Sequence, residues 1–212
     1  ECNSPFTYDE DNMHYLRSMI KERTKENYSK WFMEYETYKE THTEEEVEAL
    51  DSIIKNEDIV LQLDKVVDTS KIFEDKTLRD INYQIMNVIS AFVPNFIGGS
   101  ADLVSSTKTY LKKQGDFSKD NYTGKNIAFG VREHAMGGIL NGLALSNLRV
   151  FGSTFLAFSN YMLPSIRMSA MMNLPVTYIF THDNFTIGED GPTHQPIEQL
   201  GALRNIPNLS VY

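Results

Sequence analysis

Residues 1–68 of this 212-residue chain contain no glycine at all, and the whole chain holds one cysteine and one tryptophan. A lone Cys2 closes no internal disulfide, so nothing in the sequence requires an oxidising compartment. Signal-peptide patterning is also lacking, and every apolar run falls far short of the ~18 residues of a membrane span, which makes a cytoplasmic protein the expectation. Positive charge is scarce: 20 Lys and Arg face 29 Asp and Glu, a net charge of −9. That balance argues against a chain that coats nucleic acid or an anionic membrane, since both need clustered basic residues. The sequence does have enough apolar material, 41% hydrophobic and 11% aromatic, for one large domain or one domain with an appended helical segment. A domain of this size can bury its core without disulfides or metal.

The polar excess is unevenly placed. Residues 1–68 carry charged stretches such as Lys21-Glu22-Arg23-Thr24-Lys25-Glu26 and read as a helical linker segment. Thr43 and Glu46 have capping-box spacing, which predicts a helix through Ile54 with Val47, Leu50, Ile53 and Ile54 on one face. Trp31, with Phe32, Tyr35 and Tyr38 nearby, is expected to anchor this segment.

From Thr69 to Tyr212 the pattern becomes short apolar segments alternating with helical ones, the signature of an α/β domain with a parallel sheet and helices on both faces. Leu78, Ile81, Ile85, Val88, Ile89 and Phe92 recur at helical spacing and Pro94 stops that helix. Strands are predicted near Phe96-Ile97, at Ile127-Ala128-Phe129, around Val150-Phe151 and at Val176–Phe180, and Leu209-Ser210-Val211-Tyr212 reads as a last one. Helices are expected around Ala135–Leu143 and from about Ala157 to Met172. Open parallel sheets bind ligands at the carboxyl ends of their strands, and polar residues fall there: Gly99-Ser100-Ala101-Asp102, Gly130-Val131-Arg132-Glu133-His134, and His182-Asp183 at the head of a long polar loop.

The loop Gly188-Glu189-Asp190-Gly191-Pro192-Thr193-His194-Gln195-Pro196 mixes backbone-shaping residues with acid, hydroxyl, imidazole and amide groups. It suits a polar substrate site, and equally a helix-capping loop whose Asp and Thr satisfy local donors. Glu133 opens an apolar helix, where its charge favours the dipole; a purely structural first-turn glutamate would look the same. Phe155, Phe158 and Tyr161 recur at i, i+3 and i+6, a spacing that serves a core stripe as well as a stacking surface.

Taken together, the string at 188–196, Thr181-His182-Asp183, Gly130–Gly137, Gly98-Gly99-Ser100-Ala101-Asp102-Leu103 and Ser153–Phe158 closely resemble transketolase, clearly from about Arg79 to Tyr212. The resemblance implies a pyrimidine-binding domain of the thiamine diphosphate-binding fold, one half of a cofactor site. It implies that Glu133 hydrogen-bonds the ring nitrogen of the cofactor's pyrimidine and that Phe155, Phe158 and Tyr161 surround that ring, with Asp102 and Leu103 beneath it. A flat heterocycle stacks on aromatic side chains, and a carboxyl group taken out of water beside them holds its proton more tightly. For substrate it implies that Arg79, Ser106 and His182 hold a sugar phosphate, the Arg and a charged His as donors, that Asp190 reads a hydroxyl, and that His194 lies near the donor's terminal hydroxyl.

The same resemblance implies transfer of a two-carbon ketol unit from a ketose phosphate to an aldose phosphate, in the pentose phosphate pathway, by a homodimer. The Gly-Asp-Gly motif with its downstream Asn, which holds magnesium and diphosphate in that family, is absent from these residues. The expectation is therefore a fragment, incomplete at its carboxyl-terminal end and inactive alone. The synthase of deoxyxylulose phosphate shares the domain but fits these strings less well. Two other classes compete: a metal-dependent hydrolase using His134, His182, Asp183, Asp190 and His194, and a non-catalytic interaction module of the same ancestry.

Overall fold

In this computed structural model the described residues are 8–56, 76–184, 188 and 190–212. The chain divides into two compact units, Glu1–Ser52 and Ile53–Tyr212. Cys2, Glu189 and the expected boundary between residues 68 and 69 lie outside the described residues.

In the first unit, α1 (Glu10–Thr41) starts where Asp9 accepts a hydrogen bond from the Asn12 N–H at 2.9 Å. None of its residues is buried. Trp31 is not the anchor its size suggests: it is 45% exposed, and its ring stacks on Tyr35 at 5.6 Å between centroids with 2° between planes. The cause is local, because i and i+4 side chains on one helix meet each other before they meet anything else. The predicted capping box opens α2 (Glu44–Ile54). The Thr43 N–H and hydroxyl both donate to the Glu46 carboxylate, at 2.9 and 3.0 Å, and Thr43 Oγ1 accepts from the Glu46 N–H at 3.4 Å. Val47, Leu50 and Ile53 are half-buried, as the face predicts, whereas Ile54 is exposed.

The second unit begins its described part with α3 (Leu78–Phe92), capped by Thr77, whose Oγ1 accepts from the Asp80 N–H at 3.2 Å and donates to Asp80 Oδ2 at 2.6 Å. Leu78 is exposed, and Ile81, Met86 and Ser90 form the buried face. Next come β1 (Phe96–Ser100), α4 (Val104–Thr107), β2 (Asn126–Ala128), α5 (Glu133–Leu145), β3 (Arg149–Phe155), a 3-10 helix (Leu156–Tyr161), α6 (Leu163–Met171), β4 (Val176–Thr181) and α7 (Gln199–Arg204). The strands make one parallel sheet in the order β2-β1-β3-β4, with Ser100 opposite both Ala128 and Ser153.

Successive residues of a strand point to opposite faces, and both faces of this sheet are covered. Val150, Ile97, Tyr178 and Phe180 pack with Met136 and Leu140 of α5, Ile166 of α6 and Leu203 of α7. Phe151, Phe96 and Ile179 pack with Met86 of α3 and Leu111. The expected parallel sheet with helices on both faces is present.

Two expectations about the second unit's elements fail. The helix foreseen from Ala157 to Met172 is split, and α6 starts only at Leu163 because Pro164 supplies no N–H and its ring excludes the carbonyl of a continuing turn. Leu209–Tyr212 is not a strand; Leu209 and Val211 pack against the main core cluster and pair with none of the described strands.

Candidate active site

The sheet order fixes where a ligand can sit. From β1 the chain leaves toward β2, on one side, and from β3 it leaves toward β4, on the other. The carboxyl ends of these adjacent strands therefore flank a topological switch point, where open α/β sheets form their crevice. The loop after β1 carries Asp102 and Leu103, and the residues at the end of β3 and after it are Phe155, Phe158 and Tyr161.

Ser100 and Ser153, paired across the two strands, fasten the first loop. The Ser153 carbonyl accepts from the Ala101 N–H at 3.0 Å and from the Ser100 hydroxyl at 2.9 Å, and Ser100 Oγ accepts from the Leu103 N–H at 3.2 Å. Asp102 is held at φ +62°, a left-handed conformation that Asp tolerates better than most residues but still at some cost. It caps nothing: α4 has Leu103 at its N-cap and no side-chain cap. Ser106 follows on α4, and its carbonyl accepts a 2.9 Å hydrogen bond from Arg79 Nη1 at the start of α3. Beside them Lys108 pairs with Asp80, and this ion pair, with the Thr77 hydroxyl next in weight, holds the Asp80 carboxyl below the usual range.

The aromatic residues line up because Phe158 and Tyr161 sit in a 3-10 helix that starts directly after Phe155, and its three residues per turn bring positions three apart into register better than an α-helix would. Phe155 and Phe158 stack at 5.7 Å with 13° between planes, and Phe158 and Tyr161 follow at 6.2 Å. They do not form a core stripe. Phe155 is buried, Phe158 half-buried and Tyr161 exposed at 67%, so open ring surface increases outward from the sheet.

Glu133 is buried in the first turn of α5, and among the described residues its carboxyl group makes no hydrogen bond or ion pair. The helix it opens packs directly against the 3-10 helix.

His182, just past β4, stacks on Phe155 at 3.7 Å between centroids and adopts φ +55°. Its Nδ1 lies 2.9 Å from Thr181 Oγ1. Burial and then the Arg79 charge push its pKa below the ordinary histidine value, against the weaker pull of Asp190 and Asp183. That direction favours the neutral imidazole over its charged form. His194 sits edge-on to Phe158 at 5.1 Å and to Phe155 at 6.4 Å, with Nδ1 2.9 Å from Thr193 Oγ1. The turn carrying Asp190 and His194 is closed by backbone bonds, Asp190 N–H to Gly188 at 3.0 Å and His194 N–H to Gly191 at 3.1 Å. Neither Asp190 nor Thr193 caps α7, which has no side-chain cap.

The structure thus brings Phe155, Phe158, Tyr161, His182 and His194 into one aromatic group, with Arg79 and Ser106 joined beside it and the Arg79 charge felt at His182. It does not assemble the hydrolase cluster. Among the described residues no group of three His, Cys, Asp or Glu side chains could hold a metal ion, and His134 Nδ1 lies 2.8 Å from Ser165 Oγ. Sequence reasoning missed the buried hydroxyls of Thr107, Thr109 and Ser153, and the Lys108–Asp80 pair. The Thr77-to-Asp80 spacing was the available cue to the second of these, since it marks the cap on which Asp80 sits.

A two-sided parallel α/β domain with aromatic and acidic residues at its switch point has the architecture in which open sheets form their ligand crevice. Comparison with known proteins makes it specific. The family model of the transketolase pyrimidine-binding domain matches residues 74–212. Transketolase of Bacillus subtilis (strain 168) is 46% identical over 193 residues, 91% of this chain and 29% of that protein. Transketolase of Campylobacter jejuni superposes with a TM-score of 0.70 at 41% identity, over 85% of this chain and 26% of that one. The Pichia stipitis transketolase in complex with sedoheptulose-7-phosphate gives 0.82 at 33% identity, over 97% and 31%. The chain belongs to the transketolase family through its pyrimidine-binding domain. It spans less than a third of the length of these relatives.

Proposed function

We propose that this chain supplies the pyrimidine half of a thiamine diphosphate site in a transketolase, which transfers a two-carbon ketol unit from a ketose phosphate to an aldose phosphate. The observation that carries this reading is Glu133, a largely buried residue whose carboxyl group has no partner among the described residues, on the helix packed against the 3-10 helix that carries Phe158 and Tyr161. That donor set fits an aminopyrimidine: Phe158 and Tyr161 offer ring surface for stacking, and the carboxyl group can exchange a proton with a ring nitrogen. When bound, thiamine diphosphate supplies the electron sink that lets a carbon–carbon bond beside a carbonyl break.

The chain's own residues do the rest. Phe155, buried and covered by His182, supports the stacking rings; Asp102 and Leu103 form the floor beneath them. Arg79, Ser106 and His182 receive the sugar phosphate, Asp190 accepts from a substrate hydroxyl, and His194, edge-on to Phe158, faces the reacting end of the donor. Glu133 and His194 are the catalytic residues of this scheme. Magnesium and the diphosphate belong to a domain outside these 212 residues, in a homodimer that completes the site, so the chain alone is expected to be inactive. No helix among the described residues is long and apolar enough to cross a membrane.

Ketol transfer by the protein expressed from the complete reading frame, with thiamine diphosphate and magnesium, tests this directly. Glu133→Ala is expected to lower kcat by about two to four orders of magnitude, the range of a lost proton-transfer group. Unchanged kcat would remove Glu133 from the mechanism, and an inert parent would leave a binding role as the better reading.

A further inference from the structure

The hydroxyl groups of Thr107, Thr109 and Ser153 are fully buried and meet one another. Thr107 Oγ1 lies 3.0 Å from Thr109 Oγ1 and 3.1 Å from Ser153 Oγ, and Thr109 Oγ1 lies 2.7 Å from Ser153 Oγ. Three protons serve these contacts in one chain: Thr109 donates to Ser153, Ser153 to Thr107 with Gly99 O 3.3 Å away sharing its proton, and Thr107 to Leu103 O at 2.9 Å. Thr107 spends its own proton on its own turn and meets the other two hydroxyls as an acceptor, so their contacts tie the end of a four-residue helix to a central strand.

What it fastens is α4, too short to hold itself in place. Ser106, whose carbonyl takes the Arg79 hydrogen bond, immediately precedes Thr107. The side chain and main chain of Ser153 act on different parts of the crevice. Its carbonyl holds the Asp102 turn through Ser100 and Ala101, whereas its hydroxyl holds only α4 and Gly99. Deleting the hydroxyl leaves the first contact intact.

We propose that Ser153 is a positioning residue that sets the affinity for the substrate's phosphate group by fixing α4, and with it the Arg79–Ser106 pair, against β3. The inference rests on the proposed transketolase reading. It makes phosphate recognition depend on a hydroxyl that touches neither substrate nor cofactor.

The test uses the protein from the complete reading frame, assayed with a ketose phosphate donor and with a ketose lacking the phosphate. Ser153→Ala should raise KM for the phosphorylated donor about tenfold, the equivalent of one buried hydrogen bond, with kcat and the kcat/KM of the unphosphorylated donor within twofold of the parent. Thr109→Val, which removes a different corner at nearly equal volume, should reproduce the shift, and the double variant should add little to either. Thr109→Ser, which keeps the hydroxyl, should behave as the parent. Equal losses with both donors, a fall in kcat alone, or additive effects of the two variants would overturn the inference. A parent with no ketol transfer from either donor would instead sink the functional reading, and this inference with it.

Discussion

His182 shows how neighbours rather than residue type decide a side chain's role. Packed on Phe155 and facing the Arg79 charge, it is held below its ordinary pKa, and Asp190 and Asp183 pull weakly the other way. A base whose folded pKa is depressed binds its proton more tightly in the unfolded chain. Its contribution to stability is therefore intact above the unfolded value, near 6.5, and is lost as pH falls from there through the folded pKa. A proton NMR titration of the His182 ring should give a midpoint below the usual histidine range. Arg79→Ala should move it up and Asp190→Asn should move it down, and opposite movements would show that other groups set the field. A phosphate bound beside this ring would draw a proton onto it, so sugar-phosphate affinity should couple to proton uptake. The left-handed backbone at both Asp102 and His182 adds a second residue-scale cost at the carboxyl ends of β1 and β4.

Among the elements, β1 depends most on what its residues lack. A Cβ on Gly98 would lie 2.0 Å from the Phe151 carbonyl oxygen, and one on Gly99 would lie 1.8 Å from that of Ile127. Backbone cannot yield as a side-chain tip can. Gly99→Ala should cost about 3 kcal/mol or more, by forcing the strands apart. Gly142, in the interior of α5, has open space where its Cβ would go, and Gly142→Ala should be neutral to stabilising by up to about 1 kcal/mol. Urea denaturation of both variants checks the contrast, and a Gly99→Ala protein as stable as the parent would mean that β1 and β2 pair less closely than these distances require. Most of these elements were legible in the sequence because their apolar periods differ: short runs such as Val176–Phe180 for strands, and Ile81 and Ile85 at helical spacing for α3. The aromatic trio was legible as a spacing but not as a 3-10 helix, since Pro164 acts three residues after Tyr161 and the sequence pattern alone suggests one continuous helix. Thr107, Thr109 and Ser153 were illegible for another reason: a hydroxyl carries no sign of burial, and only the fold brings residues 44 and 46 positions apart within bonding distance.

For the whole molecule, the division at Ser52 and Ile53 separates two kinds of stability. The second unit has a covered sheet and a contiguous core, with Met136, Leu140, Met162 and Ile166 fully buried. In the first unit, α1 has no buried residue, its aromatic rings stack on near neighbours in sequence, and Tyr35 donates to Asp51 of α2 at 2.5 Å. Helices of this kind rest on capping and on i, i+4 pairs worth a few tenths of a kcal/mol each, whereas a packed core melts as one cooperative body. Trp31, the chain's one tryptophan, reports on the first unit alone. Urea denaturation of the 212-residue chain followed by tryptophan fluorescence should therefore begin at lower urea, and rise less steeply, than denaturation followed by the exchange of core amides in β1 and β3. Because Trp31 is 45% exposed, its emission should start red-shifted and be readily quenched by acrylamide. Coincident transitions from the two probes would mean that the units unfold together, and that α1 draws its stability from the core of the second.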